Sequence, residues 1–77
     1  MHRDVPIGAL VFFKKDTLVK VPSGLSSSVW SFTPDIIAIR CEGEDFSERP
    51  LYLFSNGTYG YADVYDLERN ECEVISQ

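Results

Sequence analysis

One predicted hairpin, Leu51–Glu68, constrains this chain more than any other feature of the sequence. An apolar tetrapeptide leads into Asn56-Gly57, and small and aromatic residues alternate on the far side. Asn-Gly is the strongest short-range hairpin signal, because a type I′ turn needs positive φ at both central residues. Asp63 then stands where its carboxylate can cap a short helical turn. The segment predicts a strand, a type I′ turn, a second strand and a one-turn corner.

The remaining β-forming residues fall in short runs. Ile36–Cys41 is the most β-prone and predicts a central strand covered on both faces. Pro22–Pro34 is broken by Pro, Gly and Ser, so it predicts an irregular loop whose apolar side chains fold over the core or form an exposed patch. A polar connection follows at Glu42–Pro50, with Phe46 as its apolar anchor. The other predicted strands are Gly8–Lys15, Thr17–Val21 and Glu71–Ser76.

Short strands with hardly any helix predict an all-β fold, either a small barrel or a strongly bent sheet. From the hairpin onward the chain reads φYφFSNGxxGYxxxYDLExxxxxVI, where φ is apolar, and this string resembles the last strands of small SH3-like barrels. A Gly-led strand at 8–11, the pair Gly60-Tyr61 and the corner Asp66-Leu67-Glu68 carry the resemblance. The same layout occurs in small phage proteins, the photosystem I stromal subunit and the variable chain of ferredoxin–thioredoxin reductase.

The resemblance implies a five-stranded SH3-like barrel with a one-turn 3-10 corner, in a phage-type accessory protein. An ALYDY-like run is missing, so no proline-rich ligand is implied. With 77 residues the chain predicts a single domain, 1–77, in which 1–7 form a loose lead-in. The apolar stretch Ile7–Phe13 has no small-residue cleavage pattern, so we expect no secretory signal, and no apolar run approaches about 18 residues. We therefore expect a cytoplasmic protein without membrane contact, in the host cytoplasm if it is phage-encoded.

The residue types needed for catalysis or metal binding are sparse. The single histidine is His2, and Cys41 and Cys72 do not form a CxxC pair, so we expect free thiols and no zinc site. Four acidic residues bunch in one loop without the spacing of a calcium loop, and we interpret them as solvated charge. They are Glu42, Glu44, Asp45 and Glu48. We expect no enzyme, no catalytic residue, no cofactor and no metal.

The charge is unevenly distributed along the chain. Residues 1–41 carry five basic and three acidic side chains, whereas residues 42–77 carry two basic and nine acidic ones, so +2 and −7 give the net charge of −5. Because an acidic surface repels phosphate, direct binding of nucleic acid is disfavoured. The expected partner is another protein, with a basic surface.

Aromatic residues supply the candidate site, because strand alternation cannot bury all of them and exposed Tyr and Trp are enriched at binding hot spots. We predict a non-catalytic protein-binding module, such as a host-modulating inhibitor, acting through an aromatic and acidic face. Two alternatives stay open: a structural or assembly subunit that self-associates through the exposed loop Pro22–Pro34 and an open strand edge, and an acidic decoy that mimics nucleic acid. The predicted protein-binding residues are Trp30, Phe32, Tyr59, Tyr61, Asp63, Tyr65, Asp66 and Glu68.

Overall fold

The chain folds into antiparallel strands with one short helix, which confirms the all-β class. A computed structural model describes residues 5–25 and 27–76, apart from the side chains of residues 64 and 65. Within these residues no helix is long and apolar enough to cross a membrane. The elements are β1 (Leu10–Phe13), β2 (Leu18–Pro22), β3 (Ser28–Phe32), β4 (Ile36–Glu44), β5 (Pro50–Phe54), β6 (Tyr59–Tyr61), α1 (Val64–Arg69) and β7 (Glu73–Ser76).

The strands form one sheet in the order β3-β2-β6-β5-β4-β1-β7. Seven strands in an open sheet replace the predicted five-stranded barrel, which was wrong on both counts. The sheet ends at β3 on one side and at β7 on the other, because neither strand pairs with the other among the described residues. All pairings are antiparallel.

The main error in the predicted topology is the segment Pro22–Pro34, which is not an irregular loop. Its second half is β3, which pairs with β2 from Leu18↔Phe32 to Pro22↔Ser28. Only a short connection remains between the two strands, and in it Gly24 has a φ of 85°. Two serines among three bulky β-forming side chains are compatible with a strand, and pairing with β2 decides the conformation.

The predicted hairpin is present, with a different turn. Strands β5 and β6 pair from Leu51↔Tyr61 to Leu53↔Tyr59, which confirms both strands. Gly57 has a φ of 91°, but Asn56 is not among the residues with positive φ, so the type I′ prediction is wrong. The Phe54 N–H donates to Thr58 O at 2.8 Å and closes a three-residue loop with glycine in its last position.

The corner before β7 is a six-residue α-helix rather than one turn of 3-10 helix. The N–H groups of Asp66 and Leu67 both donate to Asp63 O, at 3.0 and 3.2 Å, which starts the helix. It ends at Arg69; Glu71, two residues further on, has a φ of 60°, and the Cys72 N–H donates to Leu67 O at 2.9 Å. Cys72 and Cys41 are free thiols.

The core lies on one side of the sheet, which we call the inner face. Its centre is Phe13, whose ring meets those of Tyr52 and Phe54 edge-on with centroids 5.0 and 4.9 Å away. Val5 is also buried, although it belongs to the stretch expected to be loose. Gly60 lies on this face because a Cβ there would sit 2.9 Å from Cε2 of Phe54. The other buried apolar residues are Ala9, Val11, Val19, Ala38, Ala62 and Leu67.

Candidate functional site

The opposite side of the sheet, which we call the outer face, carries two rows of side chains. Directly paired residues point to the same side of a sheet, so the register defines each row. One row runs Tyr59, Leu53, Ile39, Leu10 across β6, β5, β4 and β1. The next runs Trp30, Lys20, Tyr61, Leu51, Cys41 from β3 to β4.

Large apolar side chains on the outer face are open to solvent. Trp30, Phe32 and Tyr59 are 50%, 68% and 48% exposed. Ile37 and Ile39 are also exposed, so the prediction that β4 is covered on both faces was wrong. The apolar side chains of this face extend from β1 to β3 and are partly open to solvent, although Arg49 lies against the Trp30 ring.

In this register Lys20 is paired with Trp30 on one side and with Tyr61 on the other, so the two aromatic residues flank it. The guanidinium of Arg49 lies 5.0 Å from the centroid of the Trp30 ring, within cation–π range. Lys20 Nζ and Arg49 Nη1 each lie 3.2 Å from Oδ2 of Asp45. The Asp45 carboxylate, between these two cations, therefore holds the β4–β5 connection against the row that contains Trp30 and Tyr61, which we call the aromatic row.

Asp45 is the best-connected residue of that connection. Its Oδ1 accepts the N–H groups of Ser47 and Arg49 at 2.9 and 2.8 Å, and its side chain is 6% exposed. Burial opposes ionisation, but the hydrogen bonds from Arg49, Lys20 and Ser47 outweigh it and hold the pKa of the Asp45 carboxyl below its ordinary value. The interpretation of this residue as solvated charge was wrong. Phe46 beside it is fully exposed rather than an anchor.

A cleft of about 500 Å³ opens between the β2–β3 turn and the β4–β5 connection. Leu25 and Phe46, both fully exposed, lie on its two sides, with Tyr61 and the Lys20–Asp45 pair also among its lining residues. A second, apolar depression of about 440 Å³ lies over Leu10, Ile37, Ile39 and Leu53 on the outer face. In the described part of the chain, no group of three or more His, Cys, Asp or Glu side chains is placed to hold a metal ion.

The structure brings together half of the predicted site. Trp30, Phe32, Tyr59 and Tyr61 share the outer face, while the predicted acidic residues lie elsewhere. Asp63 precedes α1, and Asp66 and Glu68 lie on it, with Asp66 paired to Arg69 at 3.4 Å. The side chain of Tyr65 lies outside the described residues.

Sequence reasoning missed the aliphatic part of the outer face and the contact of Arg49 with Trp30. Alternation within Ile36–Cys41 could have revealed the first, since Ile37 and Ile39 alternate with the small Ala38. The second has no local signal, because it depends on the pairing of β2 with β6. Comparisons of the chain with known protein families, with curated proteins and with solved structures find no match. Fold and site define a small all-β protein with an open aromatic sheet face.

Proposed function

We propose that this chain is a non-catalytic protein-binding module that docks its partner on the outer face. The observation that carries the proposal is the exposure of Trp30, Phe32 and Tyr59 on β3 and β6, the two strands that flank β2 in the sheet. Aromatic side chains of this kind bury roughly 150–250 Å² each, so the three leave on the order of 300 Å² of apolar surface in water. With Leu10, Ile37 and Ile39 the patch reaches the upper range for a monomer, where such patches are commonly interaction sites.

The anchors are held in place before any partner arrives. Trp30 is fixed by its pairing in β3 and by Arg49, which is itself tied to Asp45. Side chains that are already ordered lose less conformational entropy on binding, so more of the contact energy is available as affinity. This favours recognition of a folded surface or a short apolar segment by aromatic anchors.

Charge supports a partner with a basic surface. Exposed carboxylates at Glu42, Glu44 and Glu48 lie in β4 and the connection that borders the aromatic row. Such charges raise the association rate of a basic partner and make that rate sensitive to salt. Together with the resemblance to small phage proteins, this favours a host-modulating accessory or inhibitor role. The decoy alternative is weaker, because Asp45 is neutralised by two cations.

Capture from host lysate tests the proposal with three baits. The wild-type chain and Ile7→Ala, which removes an exposed apolar side chain outside the strands, should retain one partner in equal stoichiometry. The double variant Trp30→Ala/Phe32→Ala should lose this partner while its far-ultraviolet circular dichroism spectrum stays that of the wild-type chain. No stoichiometric partner, or equal capture by all three baits, would contradict the proposal.

A further inference from the structure

Among the described residues, no strand pairs with the outer edge of β3, which is therefore a row of unpaired main-chain groups. The N–H of Thr33 donates to Thr17 O at 2.8 Å, and the N–H of Ser23 donates to Ser27 O at 2.9 Å. Hydrogen-bonded pairs alternate along an antiparallel ladder, so these two bonds fix which residues face β2. Val29 and Ser31 face β2, whereas Ser28, Trp30 and Phe32 present their N–H and C=O groups outward.

The two edges of the sheet differ in how they are protected. Strand β7 begins with the charged Glu73, and its pairing with β1 shifts register between Leu10 and Val11. Strand β3 has no charged residue and no proline, and it pairs with β2 without a register shift. Charges and bulges are the usual devices that prevent edge-to-edge pairing, and β3 lacks both.

We propose that β3 pairs antiparallel with β3 of a second copy of this chain, about a two-fold axis at Trp30. The sequence SVWSF is complementary to itself in this register. Phe32 lies opposite Ser28 of the second copy, and Val29 lies opposite Ser31, so each of these bulky side chains meets a small one. Trp30 meets its own counterpart, and aromatic pairs of this kind add stability beyond the area they bury.

The same register also provides hydrogen-bond partners for the outward main-chain N–H and C=O groups. All three outward residues on each copy then lie in hydrogen-bonded pairs, whereas a shift by two residues leaves one of them unpaired on each copy. The strand is uncharged, so no like charges meet at the junction in spite of the net charge of −5. These two features favour a second copy over an unrelated strand. The inference concerns the edge of the sheet and does not rest on the proposed function.

Sedimentation over a wide concentration range tests this pairing. The wild-type chain should associate to a dimer, and Trp30→Lys and Trp30→Glu should each weaken self-association by roughly tenfold or more, since like charges then meet at the axis. An equimolar mixture of the two variants should recover association, because only a residue on a two-fold axis meets its own counterpart. Ile75→Lys, on the protected edge, should leave association unchanged.

Amide hydrogen exchange gives a second readout that also monitors folding. Protection of the Ser28, Trp30 and Phe32 amides should rise with concentration, while that of Val29 and Ser31 stays constant. A wild-type chain that stays monomeric overturns the proposal, even if the edge accepts a strand from another protein. A dimer without added protection at the outward amides, or a mixture that fails to associate, also overturns it.

Discussion

On β4 and β6, the small residues Ala38 and Gly60 lie on the inner face, whereas their large neighbours along each strand lie on the outer face. On β4 the small Ala38 points inward, while Ile37 and Ile39 point outward. On β6 it is Gly60 that points inward, with Tyr59 and Tyr61 outside. The inner volume is already filled by Phe13, Tyr52 and Phe54, so the neighbouring strands must contribute small residues there. The large outer side chains are not required for the core, which leaves them free to serve as a binding surface.

Truncating one phenylalanine on each side gives the largest expected contrast. Phe13→Ala should lower the free energy of unfolding by about 3–5 kcal/mol, because it leaves a cavity beside two buried rings. Phe32→Ala, on the exposed edge strand, should change it by no more than about 0.5 kcal/mol. Urea unfolding of both variants measures the difference. Equal losses would mean that the outer face is part of the folding core.

Alkaline titration probes the inner face through Tyr52. Burial raises the pKa of its hydroxyl to about 12, with Arg40 opposing and Cys72 adding to the rise. The folded state therefore keeps a proton that the unfolded state loses above about pH 10, and stability should fall by about 2–3 kcal/mol between pH 10 and 12. Tyr52→Phe should abolish this part of the pH dependence.

The same variant is informative at neutral pH. Among the described residues the Tyr52 hydroxyl has no hydrogen-bond partner, so its removal should cost little. Unfolding by urea at pH 7 and at high pH separates the two effects. A large loss at pH 7 would show that the hydroxyl is bonded to water or to a residue outside the described part.

Gly60→Ala tests how tightly the inner face is packed. The new methyl group would lie 2.9 Å from the ring of the buried Phe54 and 3.6 Å from Cβ of Val19. Overpacking of this kind typically costs about 1–3 kcal/mol. Tyr59→Ala, at the adjacent outward position, is the matched control and should have a much smaller effect in the same unfolding assay.

Acid titration tests the ion pairs that Asp45 forms with Lys20 and Arg49. A folded-state pKa below the unfolded value means that this carboxylate stabilises the protein above its ordinary pKa of 3.8 and ceases to do so as pH falls through the lower, folded value. Asp45→Asn should cost about 1–3 kcal/mol at pH 7. The gap between variant and wild type should close in strong acid. A gap that is independent of pH would argue against the ion-pair account.

Gly57→Val gives the smallest loss among the substitutions expected to destabilise the fold, about 1 kcal/mol or somewhat more. The turn needs positive φ at this position, which a β-branched side chain adopts only with strain, although the space around Gly57 is open. Thermal unfolding measures it, with Asn56→Ala as a control for loss of the side-chain bond to Thr58. A loss of no more than about 0.5 kcal/mol would show that glycine is not required at position 57.

Local patterns in the sequence predicted the parts of the fold that depend on neighbouring residues. The two strands on either side of Asn56-Gly57 were predicted from their residues, and the closing strand predicted at Glu71–Ser76 is present as the shorter β7, Glu73–Ser76. Strand β3 was missed because serine has weak β-propensity, and pairing with β2 compensates for this.

The candidate site was predictable only in part. Alternation indicated that some of the aromatic side chains would be exposed, but it could not show that Trp30 would face Tyr61 across the intervening strand β2. The ion pairs of Asp45 with Lys20 and Arg49 likewise join residues from separate parts of the chain. Such contacts depend on strand order, which local patterning does not encode.

The position of Trp30 makes the intrinsic fluorescence of the chain a probe of binding at the outer face. Trp30 is the single tryptophan in the sequence, and it lies on the outer face against the guanidinium group of Arg49. Its environment differs from that of the buried ring cluster around Phe13. Intrinsic emission excited at the red edge of indole absorption therefore originates at the proposed contact surface. Its spectral shift should follow occupancy of that surface, so titrations need no attached dye.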